Sequence, residues 1–345
     1  MVKHLYTLHD LSKEEIEKLL ELTRKIKGKP EDHFHTLEGK TLAMIFESAS
    51  LRTRSSFEVA MNQLGGGSVY IKAPPRESFP ENMRTLARIV SDIYLAGIES
   101  IKDTAKVMSR YVDVITCRFF KDEMLETMME YSDVPVINAM TPGFHPCQGL
   151  TDLFTILEKK DKLEGLNLTF YGDLGREAGT NVGNELFLGC AKVGINVTAS
   201  VPEARRNMPT RGFARQAWKW ALEDAKESGA EIKIEHDPLK AAKGADVIYS
   251  FYQGTMIGGK GAGAGRSDGQ SDEGAYPPAF PEYQVRKSLV DLAKPDVIVM
   301  HCLPAHRGLE ITSEVLDGPH SIVYDQAENR LHTAKAILVS LITKQ

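Results

Sequence analysis

Arginines and hydroxyls crowd the segment FESASLRTRSSF, residues 46–57. The apolar run TLAMIF (41–46) reads as a buried strand, and TRSSFEVAMNQL (53–64) as a helix. Between them lie Ser48, Ser50, Arg52, Thr53 and Arg54. A helix N-terminus offers free N–H groups and a positive dipole end. An arginine adds a planar fork that matches phosphate oxygens. Together they make an oxyanion site of phosphate size. The same residues also describe a helix cap with two solvated arginines, and this segment alone leaves both open. It is not a Walker loop, because no G-x-x-x-x-G-K-[ST] occurs. GDLGREAG (172–179) lacks the G-x-G-x-x-G spacing of a dinucleotide fingerprint.

Three further segments carry reactive side chains. In GFHPCQGLTDLF (143–154), His145 follows a strand and precedes a helix, which puts it at the C-terminal edge of a sheet. Open α/β sheets bind ligands at that edge. An imidazole there can donate to a carbonyl oxygen as charge builds on it, and Gln148 can read an amide. A histidine satisfied by the backbone fits the same letters. In VIVMHCLPAHRG (297–308), Cys302 sits where a strand runs into a loop. No sequence feature lowers its pKa, so it reads as an inert thiol or a polar contact. Arg118, in ITCRFF, ends a strand, and Arg330, in QAENRLHT, lies at the start of the last helix.

The elements that must hold these groups alternate. Short apolar runs at 113–117, 134–138, 168–172, 195–200, 231–236, 246–251 and 295–302 read as strands of a parallel sheet. Ser12 with Glu15 forms a capping box ahead of a helix over roughly 13–27. Helices are also read at 150–160, after Asn181, and from Asp325 to the end. The pattern is α/β with right-handed crossovers, in two doubly wound parallel-sheet halves that divide near residue 150. Two stretches break it: 72–92, with its prolines, and the Gly/Ser-rich 258–281, which reads as a lid or an insert.

Composition sets outer limits. With 345 residues, about two domains are expected. The hydrophobic fraction is 42% and the charged fraction 26%, which excludes disorder as the main state. The net charge of −5 argues against a nucleic-acid binder. No apolar run reaches the roughly 18–20 residues of a membrane helix, and the first residues have no apolar signal core, so a cytoplasmic location is expected. Four cysteines without a C-x-x-C pair fit a reducing compartment and no zinc cluster.

Taken in order, FESASLRTR, CRFF, HPCQGLTDLFTI, HCLPAHRG and ENRLHTAKAIL closely resemble the aspartate/ornithine carbamoyltransferase family over nearly the whole chain. HPCQ and HCLPAHRG look like its ornithine branch. The resemblance implies a carbamoyl phosphate-binding domain (1–148 plus 325–345) and an amine-binding domain (149–324), with the C-terminal helix packing back on the first. It implies that Ser50, Leu51, Arg52 and Thr53 hold phosphate, with Leu51 standing where the family has a threonine. Arg118 would hold phosphate and carbonyl, and His145 and Gln148 the carbamoyl group. Cys302 and Leu303 would meet the carbamoyl amine and the nucleophile, and Arg330 would close on carbamoyl phosphate. Asn181 would bind the amino acid, with Thr255 and Met256 a loose echo of the branch's Ser-Met-Gly element. A neutral amine then attacks the carbamoyl carbon directly, so neither a metal nor an organic cofactor is implied. A homo-oligomer, a trimer or a multiple of one, is implied as well, with Tyr94 in a segment that reaches the neighbouring subunit.

One departure bears on the second substrate. Phe251 stands where the ornithine branch has an aspartate that pairs with the substrate's α-ammonium. Asp268, Asp272 and Glu273 are candidate replacements. Weak or absent activity on L-ornithine, and better activity on an amine with another head group, is therefore expected. The alternatives are a non-catalytic metabolite-binding paralogue and, from architecture alone, a nicotinamide-dependent dehydrogenase.

Overall fold

A computed structural model describes residues 3–73, 94–95, 99–174, 180–203, 208–210, 212–251 and 280–343. The chain forms two units, Met1–Leu150 with Asn329–Gln345, and Thr151–Glu328.

In unit 1, helix α1 (Lys13–Gly28) begins where Ser12 and Glu15 close a reciprocal cap: Glu15 N donates to Ser12 Oγ at 3.2 Å and Ser12 N to Glu15 Oε2 at 3.1 Å. Such caps stabilise a helix by about 1 kcal/mol. Among the described residues, the main sheet has four parallel strands: β1 (Thr41–Phe46), β2 (Gly67–Lys72), β5 (Val114–Arg118) and β6 (Val136–Asn138). Their order is β2-β1-β5-β6. Helix α2 (Leu51–Gln63) joins β1 to β2. A two-stranded ladder, β3 (Tyr94–Leu95) with β4 (Glu99–Ser100), and helix α3 (Ile101–Met108) precede β5. Helix α4 (Asp122–Tyr131) leads into β6. Ala43 and Ile45 of β1, Ile115 and Cys117 of β5, Ile101 of α3 and Leu125 of α4 share one buried core.

From β1 the chain moves to one side for β2 and returns on the other for β5. The C-terminal ends of β1 and β5 therefore flank a topological switch point, where doubly wound sheets bind ligands. The sequence reading passed over β2. It is an edge strand whose residues alternate between exposed and half-buried, with Val69 47% exposed.

Helix α5 (Pro146–Lys160) carries the chain from unit 1 into unit 2. Unit 2 has, among its described residues, a five-stranded parallel sheet: β7 (Asn167–Tyr171), β8 (Asn196–Ser200), β9 (Ile232–Glu235), β10 (Val247–Ser250) and β11 (Ile298–Met300). The order is β11-β10-β7-β8-β9, so a second switch point lies between β7 and β10. Helix α6 (Asn181–Val193) follows β7 and ends at Gly194, whose φ of 82° is the left-handed cap that glycine adopts without strain. Helices α7 (Gly212–Ser228) and α8 (Pro238–Ala242) precede β9 and β10. Short helices α9 (Lys287–Val290) and α10 (Ser313–Leu316) flank β11. The last helix, α11 (Val323–Thr343), starts in unit 2 and continues into unit 1 at Asn329. No helix among the described residues is long and apolar enough to cross a membrane.

Two readings need correction. Helix α2 begins at Leu51, not near Thr53, because Ser50 takes an extended backbone and its Oγ accepts the Thr53 N–H at 3.3 Å. The last helix starts at Val323 rather than Asp325, which places Arg330 about two turns in instead of near the start. The prolines of 74–93 and the Gly/Ser-rich stretch, with Thr255, Met256, Asp268, Asp272 and Glu273, lie outside the described residues.

Candidate functional site

In unit 1 the predicted phosphate-binding segment sits at the β1/β5 switch point. Ser50 caps α2, so Arg52 and Thr53 fall in the first helical turn, where backbone N–H groups lack intrahelical partners. Arg118 ends β5 and donates from Nε to Ser48 Oγ at 2.8 Å. Its backbone carbonyl accepts the Glu47 N–H at 2.9 Å, which locks the two loops together. Arg330 of α11 donates from Nη2 to Thr53 Oγ1 at 3.2 Å, and both residues are buried. Leu51 is 79% exposed, so its side chain adds nothing to this cluster and its backbone N–H is the group it brings.

His145 stands on the loop between β6 and α5 and is buried. Gln148, also buried, follows it in the first turn of α5, with its N–H donating to the His145 carbonyl at 2.9 Å. The loop is held at several points. Asn138 Oδ1 accepts from Met140 N at 3.0 Å, and Met140 holds a φ of 142°, in the region that side chains rarely adopt. Thr141 N donates to the Phe144 carbonyl at 3.0 Å. Cys147 Sγ donates to the Asn138 carbonyl at 3.3 Å. Thr141 Oγ1 donates to Asp122 Oδ1 at 2.5 Å.

The electrostatics of this cluster have one sign. Burial, then the positive charges of Arg330, Arg118 and Arg52, push the His145 imidazolium well below the ordinary histidine value, so the ring is neutral at pH 7. Burial, then Arg330 and Arg52, bring the Arg118 guanidinium down to about 10. His145 Nδ1 is buried and makes no hydrogen bond. A buried polar atom left so costs free energy, which a ligand's hydrogen bond relieves. Three guanidinium charges acting on a neutral imidazole suit, by their chemistry, an anion that carries a polar, uncharged part.

In unit 2 the predicted residues gather at the C-terminal ends of β7, β10 and β11. Asn181 is the first residue of α6, is buried, and accepts from Val182 N on its Oδ1 at 2.9 Å. Phe251 continues β10, donating from its N–H to the Tyr171 carbonyl at 2.9 Å. Its ring lies 6.2 Å from that of Phe170. The packing is tight: a Cβ on Gly172 would fall 2.6 Å from the Phe170 ring and 3.1 Å from Phe251 Cβ. Phe251 thus forms an apolar wall at the β7/β10 switch point.

Cys302 is half-buried on the loop after β11. The next residue, Leu303, has a φ of 56°, left-handed backbone that a side chain occupies only under constraint. The constraint is visible. Leu303 N donates to His301 Nδ1 at 2.8 Å, which leaves Nε2 as the protonated ring nitrogen, donating to Glu310 Oε1 at 3.2 Å. His306 N donates to the same oxygen at 2.6 Å, and His306 Nδ1 lies 3.3 Å from it. Burial pushes the Glu310 carboxyl up, but the His301 and His306 hydrogen bonds outweigh it and hold the group at about 2. The neighbouring Glu310 carboxylate raises His306. From below, His301 N donates to Gln326 Oε1 at 3.0 Å, and Gln326 Nε2 donates to Asp152 Oδ1 at 2.7 Å. Tyr249 OH donates to the other Asp152 oxygen at 3.1 Å.

Sequence reasoning missed Asp122, Glu310, Gln326 and Asp152. Glu310 had a signal: the histidines of HCLPAHRG need a buried acceptor, and it is the acid that follows. Tyr94 belongs to β3.

Comparisons with known proteins fit both halves. Residues 3–158 match the profile of the aspartate/ornithine carbamoyltransferase carbamoyl-P binding domain, and residues 164–341 that of the Asp/Orn binding domain. An ornithine carbamoyltransferase from Thermococcus kodakarensis is 42% identical over 336 residues, 96% of this chain and 93% of that protein. One from Bacillus subtilis is 40% identical, covering 99% of this chain and 94% of that protein. The solved structure of ornithine carbamoyltransferase from Pyrococcus furiosus superposes with a TM-score of 0.80 at 40% identity, over 98% of this chain and 96% of that one. A solved N-acetyl-L-ornithine transcarbamylase variant complexed with PALAO also reaches 0.80, at 29% identity, over 99% of this chain and all of that one. Nothing among these relatives supports a non-catalytic paralogue or a dehydrogenase. With both domain profiles matched and full-length relatives at this identity, the chain belongs to the aspartate/ornithine carbamoyltransferase family of enzymes.

Proposed function

We propose that the chain moves the carbamoyl group of carbamoyl phosphate to the amine of a small, ornithine-like substrate and releases phosphate. The observation that carries this reading is the set of half-buried Arg52 and Arg118 and buried Arg330, whose charges all act on buried, neutral His145 at the β1/β5 switch point. Carbamoyl phosphate is an anion with a polar, uncharged carbamoyl end, which is what such a set receives.

The roles follow from chemistry and position. Ser50, the Leu51 N–H, Arg52 and Thr53 bind phosphate at the α2 N-terminus. Arg118 spans phosphate and carbonyl oxygen. Arg330, tied to Thr53, closes on the donor. His145 donates to the carbonyl oxygen and Gln148 to the carbamoyl group. In unit 2, Asn181 and the Cys302–Leu303 loop receive the amine, with Thr255 and Met256 after β10. The amine nitrogen gives its lone pair to the carbamoyl carbon, forming the C–N bond. The C–O bond to phosphate breaks with its pair on phosphate, and the amine's proton leaves with that phosphate. Charge grows on the carbonyl oxygen, where Arg118 and His145 stabilise it. Orientation of two bound reactants supplies much of the rest.

Phe251 favours a second reading of the acceptor. A buried ring beside the α-ammonium of ornithine neither accepts a hydrogen bond nor balances charge. An amine whose head group is uncharged or capped avoids that loss.

We further propose a cytoplasmic ring of three subunits. Buried free thiols at Cys117, Cys147 and Cys190 suit a reducing compartment. Exposed Val59 on α2 and Val69 on edge strand β2 offer apolar surface to a neighbouring copy, and one heterologous interface closes a ring. Sedimentation should give a trimer or a multiple of one; a fully active monomer contradicts this.

The chemistry is tested by phosphate release from carbamoyl phosphate over a panel of amines. Amine-dependent release with matching carbamoylated product supports the reading; release that ignores the amine contradicts it.

A further inference from the structure

Asp122 opens α4 and is 3% exposed. Acids at helix starts are common, and they usually accept from the N–H groups of their own first turn. Asp122 does not. Its Oδ1 accepts from Thr141 Oγ1 at 2.5 Å and from Tyr6 OH at 3.2 Å, and its Oδ2 accepts from Gly143 N at 3.2 Å. Two of these three donors belong to the loop that delivers His145, and the helix N-cap, Lys121, supplies no side-chain cap to relieve Asp122 of that duty.

The loop is one that needs holding. It leaves β6 at Asn138, passes Met140 with its φ of 142°, and turns at Thr141–Phe144 before His145. The third donor brings in the N-terminal segment. Leu5 pairs with Ile137 of β6 in a parallel bridge, Leu5 N donates to the Val136 carbonyl at 2.9 Å, and Asn138 N donates to the Leu5 carbonyl at 2.8 Å. Asn138 Nδ2 adds a bond to the Tyr6 carbonyl at 2.9 Å. One carboxylate therefore fastens the residue-141–143 turn to α4 and to residue 6.

We propose that Asp122 is a positioning residue for carbamoyl transfer, setting the place of the His145 imidazole through its bonds to Thr141 and Gly143. The inference rests on the proposed role of His145 at the carbonyl oxygen. None of the Asp122 hydrogen bonds reaches α2, the element proposed to bind phosphate, so its contribution falls on turnover more than on donor binding.

A double-mutant cycle separates this from a folding role. Asp122→Ala should lower kcat by up to about 10²-fold, the scale of a misplaced catalytic group, with the KM for carbamoyl phosphate within about twofold. Asp122→Asn keeps the shape and the Thr141 bond but cannot accept from Gly143 N, and should lose roughly tenfold. It also covers the case in which the alanine variant fails to fold. The decisive variant combines Asp122→Asn with His145→Ala: kcat should equal that of His145→Ala alone, because nothing remains to position. Additive losses, or an Asp122→Asn enzyme with unchanged kcat while His145→Ala is impaired, overturn the positioning role. If His145→Ala itself turns over like the parent enzyme, the reading of His145 falls first, and this inference with it.

Discussion

Arg330 and Thr53 are 277 positions apart and joined by one hydrogen bond, guanidinium Nη2 to hydroxyl Oγ1 at 3.2 Å. The bond puts the helix that returns at the end of the chain against the first turn of α2, the turn proposed to bind phosphate. Thr53 is pinned by it, and Ser50 pins the same turn through the Thr53 N–H. The turn is thus preorganised on a buried frame while Arg52, one residue earlier, keeps a half-buried side chain.

Arg52 should therefore report on donor binding more cleanly than its buried neighbours. A charge-assisted bidentate contact is worth roughly 1.5–3 kcal/mol. Arg52→Ala should weaken carbamoyl phosphate at least about tenfold by calorimetry, with little change in melting temperature. Unchanged affinity would remove Arg52 from the phosphate site.

Glu310 gives a pH signature. Its folded value of about 2 lies below the ordinary 4.5, so the unfolded chain binds the proton more readily. Its stabilising contribution is complete above about pH 4.5 and is lost as pH falls toward 2. Acid unfolding of the parent protein should steepen across that window. Glu310→Gln should be less stable at pH 7 by roughly 1–3 kcal/mol, the cost of a broken buried bond, and flatter between pH 4.5 and 2. Parallel profiles for the two proteins would refute the assignment.

Much of this was legible in the letters. Ser50 was legible as a helix cap, because an N-cap hydroxyl at a strand-to-helix junction accepts from the first turn; the segment by itself left open whether the arginines beside it bind an anion or water. Runs such as LTFYG and DVIYSF named their strands, since both faces of a parallel sheet are buried. Edge strand β2 was missed because one of its faces is exposed and GSVYIK follows a run of glycines. Arg330 sits about two turns into α11 rather than at its start, because the helix reaches back past Asp325 to Val323. Asp122 was invisible for a different reason: an acid at a helix start looks the same whether it caps its own helix or fastens a turn 19–21 residues away.

Phe251 bears on the choice of acceptor. Leaving an α-ammonium unpaired in a buried site costs several kcal/mol. A cation–π contact returns only about 0.5–2 kcal/mol. L-ornithine should be a poor acceptor, and an analogue with an uncharged or capped α-nitrogen a better one by kcat/KM. Phe251→Asp, checked for folding by its melting curve, should shift preference toward L-ornithine by about tenfold or more. A parent enzyme that prefers L-ornithine at sub-millimolar KM would contradict this.

Carbamoyl transfer exchanges one bond to the carbamoyl carbon for another. Carbamoyl phosphate labelled with carbon-13 at its carbonyl, followed by nuclear magnetic resonance in the presence of ornithine and its head-group variants, reports that exchange. The label should move from the acyl phosphate signal to a ureido signal of one of these amines, in step with phosphate release, and His145→Ala should slow that transfer by about 10²-fold. Carbamoyl phosphate bound and consumed with no ureido carbon on any amine, or left intact with all of them, would contradict carbamoyl transfer.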